Sequence, residues 1–262
     1  MRPKMRLHMT LAVLAGALAC LGQPASAARK APAAVRAPVP RGPGSLSGIW
    51  TNITYKPSSA YNPREAVLMT ADGKLPPLQP WAADLLQKRL KDSEAGHPFP
   101  NTKSQCLPSG VPQLMFGPRT PMQILETPGQ VTILIEEFNN FRIILLGARH
   151  EDDPDPSIMG DSVGHWEGDT LVVDTIGLSD RTVLDVPGTP HSDQLHVVER
   201  FRRVAKDRLE VSVTLDDPKT FTRPWTAKTA FAPMGVPRIT EYYCENQRNP
   251  AVDGKTTMQM PR

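Results

Sequence analysis

Cysteine is scarce in this chain of 262 residues: there are three, and none sits in a C-x-x-C pair or beside a histidine. That argues against a catalytic thiol. An excess of one charge is also missing. The formal net charge is +3, but Arg2, Lys4 and Arg6 fall in the first 27 residues, which hold no acid; beyond them 27 basic residues face 27 acidic ones. A neutral chain offers no field to gather nucleic acid or an anionic membrane. No internal repeat is present, and the longest N-terminal apolar run, Leu11–Leu21, is too short for a stable membrane span. What is abundant is proline, 28 residues in all, which speaks against a helical bundle or coiled coil. The length allows one or two domains with a core that needs neither metal nor disulfide.

The start reads as an export signal. Met1–His8 is basic, Leu11–Leu21 is apolar, and Ala25-Ser26-Ala27 supplies small residues for cleavage before Ala28. The expected compartment is periplasmic or secreted, without stable membrane insertion. Ala17-Leu18-Ala19-Cys20 leaves lipid attachment at Cys20 as an alternative. Two cysteines, Cys106 and Cys244, lie beyond the signal. In an oxidising compartment they read first as a disulfide, worth about 4–5 kcal/mol before strain, and otherwise as two separate buried thiols.

After the signal (1–27) come an Ala/Pro-rich tether (28–45), a single β-rich domain (46–245) and a polar tail expected to be disordered (246–262). One helix is predicted, Pro80–Glu94: Trp81, Leu85, Leu86 and Leu90 recur at helical spacing, with Pro80 at the start and Gly96 past the end. From Thr120 onward the pattern predicts strands in pairs. Gln130–Glu137 and Phe141–Leu146 flank Asn139-Asn140; Ser162–Trp166 and Thr170–Ile176 flank Glu167-Gly168-Asp169. Gln194–Arg203 and Arg208–Asp216 flank Ala205-Lys206-Asp207, and Trp225–Phe231 and Arg238–Cys244 make a fourth pair around Pro233 and Gly235. Successive hairpins without a crossover helix imply a mostly β, antiparallel meander closing into a barrel or strongly curved sheet, since closure removes exposed edges.

Several stretches could carry chemistry. Gly160-Asp161-Ser162-Val163-Gly164 matches a nucleophile elbow, but the following residues run into a hairpin rather than the required helix. Its glycines then read as permitting a bulge or close strand packing. In the strand after Pro190-His191-Ser192-Asp193, alternation puts Glu199 among Leu195, Val197 and Phe201. Such an acid is either paired, with an inward arginine such as Arg142 on hand, or raised in pKa and useful for proton transfer. His191 and Asp193 lie where a barrel rim would be, and a histidine oriented by a carboxylate suits a general base; otherwise His191 caps a turn. Glu136 is also near enough in sequence to pair with Arg142 across the Asn139-Asn140 turn. At a barrel mouth that pair would be a substrate clamp. His150 heads an acidic loop, His150-Glu151-Asp152-Asp153-Pro154-Asp155, which lacks an EF-hand pattern and reads as a solvated loop, with metal binding the weaker alternative. His191, Asp193, His196 and Glu199 are all possible metal ligands, but alternation sets His196 opposite Glu199, so no metal site is expected. Tyr242 and Tyr243 present one ring to each face, and Tyr243 could supply a pocket hydroxyl.

Between Cys106 and Asn246 the chain resembles a family of uncharacterised exported bacterial proteins. The resemblance is carried by Gly164-His165-Trp166-Glu167-Gly168-Asp169-Thr170-Leu171-Val172-Val173-Asp174-Thr175, by Pro190-His191-Ser192-Asp193 and by Glu199-Arg200-Phe201-Arg202-Arg203. It implies no activity and supplies no catalytic residues. Gly147-Ala148-Arg149-His150 departs from the Asp-Gly-Arg expected there. Separately, Gly48-Ile49-Trp50 is similar to the Gly-x-Trp opening of lipocalin-type (calycin-like) barrels.

Two functions follow from a barrel around polar residues. In the first, the domain is a cofactor-independent enzyme of lyase, isomerase or hydratase type. His191, Asp193 and Glu199 move the proton, and Arg142, Glu136, Tyr243 and His150 contact a small apolar or aromatic substrate. In the second, it is an envelope binding or carrier protein for such a molecule. A metal-dependent hydrolase is the third and weakest reading.

Overall fold

A computed structural model describes residues 44–54, 62–100, 102, 107–117 and 121–242. The signal, Cys20, most of the tether, Cys106, Tyr243, Cys244 and the tail lie outside these residues. Among the described residues nine strands form a closed barrel: Gly48–Asn52 (β1), Met122–Thr127 (β2), Gln130–Ile135 (β3), Asn140–Leu146 (β4), Asp161–Glu167 (β5), Thr170–Ile176 (β6), His196–Ala205 (β7), Arg208–Asp216 (β8) and Trp225–Pro233 (β9). The mostly β barrel and its closure are as the sequence predicts, but the partner of the last strand is not. Trp225–Phe231 does not form a hairpin with Arg238–Cys244, of which residues 238–242 carry no strand. Instead β9 pairs with β1, Thr51 opposite Ala232.

A second departure lies between β4 and β5. They run parallel, through Leu145 opposite Val163 and Leu146 opposite Gly164, so the meander is not wholly antiparallel. A Cβ on Gly164 would stand 2.8 Å from Ile144 Cγ2, so this join needs glycine, in line with the close-packing reading of the G-x-S-x-G stretch. Nor is Asn139-Asn140 a two-residue turn. A short 3₁₀ turn, Glu137–Asn139, with Phe138 and Asn139 at positive φ, joins β3 to β4.

Alternation fills the interior. Leu209, Val211, Val213 and Leu215 of β8 are buried, as are Val197, Glu199 and Phe201 of β7 and Leu171, Val173 and Thr175 of β6. Side chains, Trp50, Ile124, Ile133 and Phe231 among them, pack the barrel as small barrels require. Trp50 donates from Nε1 to Leu46 O at 2.8 Å, and the Arg203 guanidinium lies over its ring.

Antiparallel pairing gathers the long connections at the end where β1, β6 and β8 finish. There Gln113–Phe116 (α2) inserts Met115 into the core, and its carbonyl accepts from Asn52 Nδ2 at 2.9 Å. The predicted helix, Pro80–Glu94 (α1), forms over that range. It buries Ala82, Leu86 and Leu90, the two leucines in a satellite cluster with Val67 rather than in the barrel. Trp81 faces outward instead, donating to Lys219 O at 2.9 Å. No helix among the described residues is long and apolar enough to cross a membrane.

Candidate functional site

Inside the barrel, Arg142 of β4 and Glu199 of β7 form an ion pair, Nη2 to Oε2 at 2.5 Å, with side chains 1% and 0% exposed. Arg142 also donates from Nε to Ser162 Oγ (3.0 Å) and from Nη2 to Thr175 Oγ1 (2.7 Å). Ser162 is thus the arginine's partner, not an exposed nucleophile. The pair itself is close but poorly aligned: neither Glu199 oxygen makes a well-formed hydrogen bond, and Arg142 Nη1 has none among the described residues. Of the two readings of Glu199, the paired one matches. Glu136 does not reach Arg142; it accepts from Thr240 N (2.7 Å) and Oγ1 (2.9 Å) at the surface, so the expected clamp is absent.

The His191–Asp193 dyad does not form either. His191 is buried, its Nδ1–H donating to Ser192 O at 2.9 Å, which leaves Nε2 facing Thr182 Oγ1 at 2.7 Å. Burial lowers its pKa, outweighing the Ser192 carbonyl and the charges of Asp217 and Asp180. Asp193 is exposed and bonded to Lys219 Nζ at 2.7 Å, and that contact holds its carboxyl below the usual range. Two residues apart on a loop, the side chains turn to different partners. Asp217, which sequence reasoning passed over, fixes this loop by accepting from Ser192 N and Oγ.

His150 belongs to a cluster built from three strands. Its Nδ1 lies 2.8 Å from Asp161 Oδ2 and its Nε2 2.9 Å from Asp174 Oδ1, which also meets His196 Nε2 at 2.8 Å. Two ionised carboxylates facing one imidazole are both satisfied only when both ring nitrogens donate, so the arrangement favours the protonated ring. Partial burial opposes that charge, but the bonds and charges of Asp161 and Asp174 outweigh it and raise the pKa. No group of three or more His, Cys, Asp or Glu side chains among the described residues is arranged to hold a metal ion.

Missing from the sequence reading is a pocket outside the barrel wall. Residues 62–71 run past β9, with Ala71 N donating to Thr226 O and Leu68 N to Asp185 Oδ2 at 2.9 Å. Between them, α2 and residues 184–186 lies a cavity of about 450 Å³. Val67, Leu68, Met69, Phe116, Leu184 and Val186 supply its apolar wall. Asp185 anchors it: both oxygens are consumed by Leu68 N, Gly188 N, Thr189 N and Thr189 Oγ1. Burial pushes that carboxyl up against the pull of these donors. Composition could not reveal this pocket, because five separate stretches between Thr54 and Lys228 build it.

No protein-family model and no curated protein matches this chain.

Proposed function

We propose that this is a binding or carrier protein for a small apolar or aromatic molecule, and that the ligand sits between residues 65–71, α2 and residues 184–186. The carrying observation is the pocket itself: about 450 Å³, with Val67, Leu68, Met69, Phe116, Leu184 and Val186 offering apolar contact and polar side chains such as Thr54, Gln113 and Lys228 beside them, a mixture that suits a small-molecule site. The acid–base alternative needs His191 and Asp193 to act together and Glu199 to be free, and each is engaged elsewhere. Localisation in the periplasm or outside the cell, cleavage of residues 1–27 and a Cys106–Cys244 disulfide complete the proposal, supported by the sequence pattern.

The test is titration with the uncharged fluorophore N-phenylnaphthylamine. Saturable binding at one site per chain is expected, weakened about tenfold, roughly 1.4 kcal/mol, by Val186→Trp, which fills the cavity. Absence of saturable binding, or binding that Val186→Trp leaves unchanged while the variant keeps its melting temperature, overturns the proposal.

A further inference from the structure

Next to the pocket, on the outer face of β6 to β9, runs a second groove of about 510 Å³. The pairing register decides what lines it. Outward residues Arg200, Ser212 and Lys228 stand in one row across β7, β8 and β9, and Arg202, Glu210 and Ala230 in the next. Arg200 and Lys228 are two strands apart, about 10 Å, with the Ser212 hydroxyl between them. Thr54 and Lys228 line both the groove and the apolar pocket, so the two cavities meet at these residues.

Charge balance singles out one position. The groove wall holds Arg200, Arg202, Arg208 and Lys228. Arg200 is paired with Glu167, Arg202 with Asp169 at 3.0 Å, and Arg208 with Glu210 at 2.8 Å. Lys228 has no ion-pair partner among the described residues. The uncompensated cation therefore stands at the junction. Of the acids lining the apolar pocket, Asp185 has both oxygens occupied, and Glu65 is held at the outer edge by Asn62 Nδ2 at 2.8 Å.

Resting on the binding function proposed above, we infer that the ligand is amphiphilic and singly anionic. Its apolar or aromatic body fills the pocket, and a carboxylate, sulfonate or similar group at one end meets Lys228. The three paired arginines beyond supply a polar wall with no net charge. The site accordingly favours one anionic group over a polyanion.

A matched pair of probes tests this: N-phenylnaphthylamine and anilinonaphthalene sulfonate, which share a skeleton and differ by the sulfonate. The native protein is expected to bind the anion several-fold more tightly, with the preference fading as added salt shortens the screening length. Lys228→Glu should cut the anion's affinity about tenfold relative to that of the neutral probe. Lys228→Arg should keep the preference. Equal affinities for the two probes, or a preference that Lys228→Glu leaves intact, overturn the inference while the neutral probe's binding preserves the proposed function. If neither probe binds, both fall together.

Discussion

Arg142 and Glu199 meet at 2.5 Å in the barrel interior, from strands that are not neighbours in the sheet. Alternation put Glu199 inward, and Arg142, on a nearly continuous apolar strand, stood as one candidate partner. Their union, with the Ser162 and Thr175 hydroxyls beside Arg142, explains how a largely apolar interior tolerates a charge of each sign. A buried pair holds the charges in place without adding much stability, because desolvation offsets most of the attraction.

Removing one partner should be far worse than removing both. Arg142→Met or Glu199→Leu alone strands a charge in the core and should cost about 3–5 kcal/mol. The double variant should cost much less than the sum, since neither Glu199 oxygen is well bonded to begin with. Urea denaturation of the four proteins measures the coupling, and simple additivity would contradict it.

His191 should behave as a neutral, structural imidazole. Its folded pKa lies below the ordinary value of about 6.5. Its contribution to stability is therefore complete above that value and lost as pH falls through the folded pKa. An NMR titration should show His191 charging below the ordinary value of about 6.5. A His191 resonance titrating above the free value would refute the assignment.

His150 should show the opposite dependence. Its pKa is raised, so its contribution is complete below about pH 6.5 and lost as pH climbs through the higher folded value. The gap in melting temperature between the native protein and His150→Gln should narrow on going from about pH 6 to pH 9. A gap independent of pH would mean that the Asp161 and Asp174 contacts do not hold the ring charged.

Gly164→Ala should destabilise by about 1–3 kcal/mol, because its Cβ would press on Ile144 Cγ2. Ile144→Leu, which has no branch at Cβ, should recover part of the loss. Unchanged urea midpoints across the set would show that β4 and β5 are not as close as described.

Local signals were legible in the sequence and long-range ones were not. Helix α1 could be read because Pro80 opens it and Leu86 and Leu90 repeat at its period. The β5–β6 hairpin declares itself through Gly168, at positive φ in its turn. β1 was not read as a strand: it has five residues, and its partners β2 and β9 lie far along the chain. β2 was missed although it forms a local hairpin with β3, Thr127 opposite Gln130. Alternation gave Glu199 its inward face but left its partner open between readings, and the His150 cluster needs the register of β5, β6 and β7 before Asp161, Asp174 and His196 come together. His191 and Asp193 misled because closeness in a loop says little about which way side chains turn.

The parallel join of β4 and β5 has a cause in counting. A ring whose neighbours all run in opposite directions must have an even number of members, as a ring of two alternating colours must. This ring has nine strands, so at least one neighbouring pair has to agree in direction, and here one does. Parallel neighbours cannot be linked by a tight turn, so the chain must travel from one end of the barrel back to the other. Residues 147–160 make that return, and they bring His150 to Asp161 and Asp174. The charged histidine owes its place to the parity of the ring.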